Sequence, residues 1–147
     1  MKVLHIVGGK LNNGAVKGAK ILHEALLDQK IDSLFMNDTP SNSKEIEKKI
    51  LFINNTPLKK FFYSVSVIIE KFLKSLFLHS PRETFTLGIL GRDITKLEEY
   101  KNADIIHIHW LSQGFIKLKS LSKIEKPVVW TLRDMWAFTG GSHYTMD

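Results

Sequence analysis

The sequence predicts an α/β domain with a mainly parallel sheet and helices on both faces, and three stretches predict it. The first is a β-α-β opening: an apolar run, Val3 to Val7, closed by Gly8-Gly9, then a helix-period segment, then a second apolar run. The second is Asp104 to Trp110, DIIHIHW, whose aliphatics suit a strand covered by helices on both sides. The third is Pro127 to Leu132, β-branched and aromatic, which breaks into Arg133-Asp134 and then Gly140-Gly141. That is the pattern of a buried strand delivering a loop to a ligand crevice at its carboxyl end. A chain of 147 residues with 44% hydrophobic residues is long and apolar enough to bury one core.

Taken in order, Val3 to Val7 is the first strand. Ala15 to Gln29 is a helix whose buried face should be Ala15, Ala19, Leu22, Ala25 and Leu26, spaced by three and four. Ile31 to Met36 is the second strand, parallel to the first. Asn37 to Lys44, rich in Asn, Asp, Thr, Pro and Ser, is a loop; a turn of helix over Glu45 to Ile50 and a short strand over Leu51 to Ile53 follow. Pro57 opens a long helix running to Leu78, with Phe61, Val65, Ile68, Phe72 and Leu76 on one stripe and Phe62, Ile69, Leu73 and Phe77 widening it. That stripe is either a core face or, beside Lys59, Lys60, Lys71 and Lys74, an in-plane contact with an anionic membrane. The uncharged run inside it is about nine residues, against roughly twenty for a bilayer span. Phe85 to Leu90 reads as an edge strand, Ile94 to Tyr100 as a short helix and Phe115 to Lys123 as a longer one. No linker divides the chain, so residues 1–147 form a single domain.

The net charge of +6 fits a phosphate-bearing substrate, an anionic membrane or nucleic acid, but no nucleic-acid motif accompanies it. Zero cysteines exclude disulfides and thiolate metal sites, and no signal peptide precedes the first strand, which favours a cytoplasmic address.

Four constellations are candidate chemistry. Gly8, Gly9, Asn13 and Gly14 lie between a strand and a helix, where free N–H groups and the helix dipole attract an anion; the order fits neither a P-loop nor GxGxxG, and a plain tight turn is the alternative. His107 and His109 share a strand face. No carboxylate or histidine stands at an obvious spacing to join them, so no metal is expected, and His109, nearer the strand end, is the ligand candidate while His107 is interior. Arg133 offers a guanidinium for phosphate and Asp134 a carboxylate for sugar hydroxyls, or the two form a local ion pair. Trp110, Trp130 and Trp136 are core or stacking faces for sugar rings, and Thr139, Gly140, Gly141 and His143 complete the closing loop.

The blocks VGG, NGAVKGA, ILHEAL, DIIHIHW and PVVWTLRDMWAFTGGSHY together resemble the N-terminal domain of glycosyltransferase family 4 enzymes, in the branch that builds bacterial capsule, exopolysaccharide and lipopolysaccharide. The resemblance covers nearly the whole chain and is weakest from Asn37 to Thr84. It implies one Rossmann-like half of a GT-B enzyme, metal-independent and retaining, whose other half holds the nucleotide-sugar. On this reading the substrate contacts are Arg133 and Asp134 as catalytic residues, with Gly8, Gly9, Asn13, Gly14, His109, Trp110, Trp136, Thr139, Gly140, Gly141 and His143 binding substrate. No cofactor is implied beyond the nucleotide-sugar as co-substrate. The implied partners are a saccharide or lipid-linked acceptor, an anionic membrane surface and a separate donor-binding domain, and not nucleic acid. Arg133 stands where the family usually has histidine and Ser142 where it has cysteine; an arginine has no acceptor atom and cannot act as a base. With no donor-binding domain in the chain, the expectation is a truncated enzyme, inactive alone, at the cytoplasmic membrane face. The alternative is a non-catalytic module binding a membrane or a protein partner.

Overall fold

The computed structural model describes residues 1–39, 49–77, 85–111 and 114–144. Five strands form one all-parallel sheet: β1 (Lys2–Val7), β2 (Asp32–Asn37), β3 (Ile50–Phe52), β4 (Ile105–Ile108) and β5 (Val128–Trp130), in the order β3-β2-β1-β4-β5. β1 therefore sits at the centre, and the order runs outward in both directions from it. This is the topology of a Rossmann-like α/β domain, and it puts a crevice where the order reverses, beyond the carboxyl ends of β1 and β4.

The helices are α1 (Gly14–Asp28), α2 (Pro57–Phe77), α3 (Glu98–Lys101), α4 (Leu118–Leu121) and α5 (Trp136–Thr139), with a 3-10 turn at Ile94–Lys96 before α3. α1 starts where Asn13, in an extended conformation, accepts the Ala15 N–H on its side-chain oxygen at 3.0 Å. It buries Val16, Ala19 and His23, one stripe at i, i+3 and i+7. The expected face was placed one position off: Leu22 and Ala25 are exposed, because His23 takes the inward position below them.

Each face of the sheet has its own filling. On one, Leu4, Ile6, Met36, Ile106 and Ile108 pack with Ile94, Tyr100, Phe115, Ile116 and Trp136. Burial of each such side chain is worth about 1.5–3 kcal/mol. On the other, Val7 and Phe35 meet Val16 and Ala19 of α1 in a small cluster. His5 and Phe35 are register partners, as are His5 and His107, so imidazoles sit beside that cluster on the same face, with Val3 and Ser33 next to them.

Three further expectations change. Phe85 to Leu90 forms no strand among the described residues: Phe85 makes an isolated antiparallel bridge to Ser142, and Arg92 an isolated parallel one to Ile116. The helix expected over Phe115 to Lys123 is one turn, α4, because Phe115 and Ile116 are committed to the core. The closing loop contains α5, ended by Gly140 in the left-handed conformation. The helix expected over Glu45 to Ile50, and Leu78, lie wholly or partly outside the described residues, though Ile50 begins β3.

α2 runs with its apolar stripe outward. Phe61, Phe62, Ile68, Phe72 and Leu76 are all 60% exposed or more. Its inward side carries Tyr63, whose hydroxyl donates to Asp38 at 3.0 Å, and Glu70, only 1% exposed. Burial raises the Glu70 pKa, opposed by the backbone N–H groups of Leu90, Gly114, Leu87 and Gly88 around the carboxylate. No described helix is long and apolar enough to cross a membrane.

Candidate functional site

At the carboxyl ends of β1 and β4 a cleft of about 540 Å³ is lined by Asn13, Gly14, Ala15, Trp110, Arg133, His143 and Tyr144. Three segments far apart in sequence meet there: the glycine loop with the first turn of α1, Trp110 just beyond β4, and the block after β5. Gly8 ties the first two together, its N–H donating to the Trp110 carbonyl at 2.6 Å. Gly9 has φ +92°, and a β-carbon there would stand 2.8 Å from the Trp110 ring, so the indole can lie across the loop only over a glycine.

Residues that the sequence reading did not single out shape that loop. The Asp38 carboxylate accepts the Gly9 N–H at 2.6 Å and the Tyr63 hydroxyl through its other oxygen, linking the loop to α2. Asn37 donates to the carbonyls of Val7 and Gly9 at 2.8 and 3.1 Å, and the Thr39 hydroxyl donates to Gly9 at 2.7 Å. The run Asn37-Asp38-Thr39 reads in sequence as generic loop polarity; only the parallel pairing of β1 with β2 brings it to the glycines.

Arg133 is exposed and crosses α1 at Gly18, where a β-carbon would come within 2.8 Å of the guanidinium. The Gly14-x-x-x-Gly18 spacing thus opens the helix twice: Gly14 leaves free space at the cleft, and Gly18 seats the arginine. Arg133 and the N–H groups at the start of α1 give the cleft an anion-binding character.

Asp134 points away from the solvent. One carboxylate oxygen accepts the Trp136 N–H at 3.0 Å and the other meets His143 Nδ1, with the side chain only 9% exposed. Trp110 Nε1 is 3.1 Å from the same His143 nitrogen, which serves one partner at a time: protonated it donates to Asp134, unprotonated it accepts from the indole. His143 Nε2 stands 2.8 Å from the Thr86 hydroxyl, and Trp136 donates to the Thr86 carbonyl at 2.8 Å. Asp134 therefore orients His143 at the cleft edge.

Of the remaining candidates, His109 lies under the cleft, 2% exposed, with Nε2 at 3.0 Å from His5 Nδ1. Trp136 is buried, and Gly141 is packed against Phe85. Thr139 donates its hydroxyl to the Ser142 carbonyl within the turn. Gly140 lines a separate apolar cavity of about 450 Å³ with Trp130, Trp136, Leu118 and Leu121. His107 is buried, with Nε2 bonded to the Thr131 hydroxyl at 2.8 Å. Burial lowers the His5 and His109 pKa values to about 3, with neighbouring imidazoles adding to the shift and Arg133 acting on His109 as well. His107 is lowered by burial and by Arg133.

Fold and site together define a Rossmann-like domain with a basic, tryptophan-walled cleft at its topological switch point. Comparison with known proteins adds no relative: no family profile, no curated protein and no solved structure matches this chain.

Proposed function

We propose that this chain is the acceptor-side half of a retaining glycosyltransferase, moving a hexose from a nucleotide-sugar to a lipid-linked or saccharide acceptor in polysaccharide biosynthesis at the cytoplasmic membrane face. The observation that carries the reading is the cleft itself, where an arginine, a helix N-terminus and an indole face converge at the strand ends. Arg133 and the first N–H groups of α1 supply charge-assisted donors for a phosphate, while Trp110 offers an apolar face for a sugar ring. Arg133 acts here as an electrostatic clamp and not as a base, since it holds no acceptor atom.

The exposed stripe of α2 supports a membrane-bound acceptor. At about 100° per residue, Lys59 falls to one side of the stripe while Lys60 and Lys71 fall to the other, the arrangement of an interfacial helix over anionic lipid. The same surface favours the second reading, a non-catalytic module that docks on a membrane.

Transfer of labelled hexose from a nucleotide-sugar panel into a lipid fraction separates the two. The chain alone should transfer nothing. Combined with a donor-binding Rossmann-like domain it should transfer, and Arg133→Ala should reduce the rate by about 10²-fold, the scale of one lost charge-stabilising donor. Transfer that is indifferent to Arg133 would reject the assigned site, and no transfer with any donor domain would leave the docking-module reading standing.

A further inference from the structure

Beneath α1 the sheet holds a constellation that sugar transfer does not use. His5 of β1 and His107 of β4 are register partners on adjacent strands, and His109 follows two residues on, so three imidazoles share one face. His5 Nδ1 and His109 Nε2 are 3.0 Å apart, the His107 and His109 rings stack at 4.1 Å, and one ring nitrogen from each of the three lies within 4.8 Å of the other two. His5 is fully buried, and His107 and His109 are nearly so.

As a plain core this cluster is poorly satisfied. His5 Nε2 and His109 Nδ1 have no hydrogen-bond partner among the described residues. A single proton shared between His5 and His109 leaves one outer N–H without an acceptor in either tautomer, which aliphatic side chains at these positions would avoid. His23 does not relieve it, since its Nδ1 is engaged with the Ser33 hydroxyl at 2.7 Å.

We propose that His5, His107 and His109 bind a borderline first-row divalent cation of the zinc class. Neutral imidazole is the ligand such ions favour, and burial holds these three neutral. Bonds of about 2.0–2.1 Å at a tetrahedral angle hold two nitrogens roughly 3.3 Å apart. His5 and His109 already stand within a few tenths of an ångström of that spacing, so replacing their shared proton with the ion needs little movement. His107 has further to come; its Nε2 is bonded to the Thr131 hydroxyl, an outer partner of the kind that orients a ligating ring, which leaves Nδ1 to coordinate. Arg133 acts on His107 and His109 from the cleft side and disfavours a bare dication. The ion should therefore carry an anionic fourth ligand small enough for a buried site, such as hydroxide.

The test uses tag-free protein stripped with chelator and titrated with Co²⁺ by electronic absorption, and with Zn²⁺ by imidazole ¹⁵N spectra. The expected result is tetrahedral d–d absorption saturating at one equivalent, displaced by Zn²⁺, with ring-nitrogen shifts at His5, His107 and His109. His5→Gln and His109→Gln should each weaken binding by more than the ~10–100-fold typical of a lost outer partner. If a buried variant misfolds, the wild-type spectra still decide: no d–d absorption, or shifts confined to His143 and other imidazoles, overturns the site. The outcome is independent of sugar transfer.

Discussion

The two faces of the sheet are built from the same strands and have opposite chemistry. On one, Leu4, Ile6, Ile106 and Ile108 form a continuous aliphatic layer. On the other, the intervening positions include Val3, Val7 and Phe35 but also His5, His107 and Ser33, with His109 just past β4 and His23 descending from α1. The aliphatic face accounts for stability and needs no further purpose. The imidazole face is buried as completely but leaves nitrogens unpaired, so its composition answers to something other than packing.

Substitutions can break or sharpen that contrast. The largest effect should come from the aliphatic side, where Ile106→Ala is expected to cost about 2–5 kcal/mol in urea unfolding through lost burial and a cavity. Next is pH in chelator-treated protein. Burial depresses the His5 and His109 pKa values from the usual 6.5 or so to about 3, so below pH 6.5 the unfolded chain takes up protons that the native state refuses. Stability should accordingly be full above about pH 6.5 and fall as pH drops toward 3, by up to ~1.4 kcal/mol per pH unit for each histidine. An unfolding free energy flat between pH 7 and 5 would contradict the buried neutral cluster. The double variant His5→Leu/His109→Leu, which removes both partners, should change neutral-pH stability by no more than about 1 kcal/mol while flattening that slope. A loss as large as that of Ile106→Ala would mean that the imidazole face is structural after all.

The smallest stability effect should come from α2. Phe61→Ser with Phe72→Ser is expected to shift unfolding by less than about 0.5 kcal/mol per site, because both rings already stand in water. The same pair should abolish co-sedimentation with vesicles containing anionic lipid, as should changing Lys59, Lys60, Lys71 and Lys74 to Glu. Unaltered vesicle binding in both variants would remove the membrane role.

Much of this architecture is legible in the residues. Strands and glycine turns are local, so β1, β2, β4, β5 and the long α2 fall where periodicity and Gly or Pro punctuation place them. What periodicity cannot give is which side of an element faces in. The α2 stripe looks like a core face by spacing alone, yet Glu70 and Tyr63 face inward, held by backbone amides and Asp38 from distant segments. Likewise Ile-His-Ile-His marks two faces without revealing that His5, about a hundred positions earlier, stands beside His107. The cleft residues Asn13, Gly14, Trp110, Arg133 and His143 were readable because each follows a strand end, whereas Asp134, Trp136 and Gly141 sit in the same block but serve its internal packing.

The central claim is that the cleft takes a phosphate-bearing sugar, and the most direct measurement is a chemical-shift titration of the Trp110 indole N–H with nucleoside-diphosphate hexoses and glycosyl phosphates. A saturable shift is expected at Trp110 and at the Asn13, Gly14 and Ala15 amides for a phosphorylated sugar, lost in Arg133→Ala. A cleft that stays silent toward every phosphosugar, or responds equally without Arg133, would contradict it.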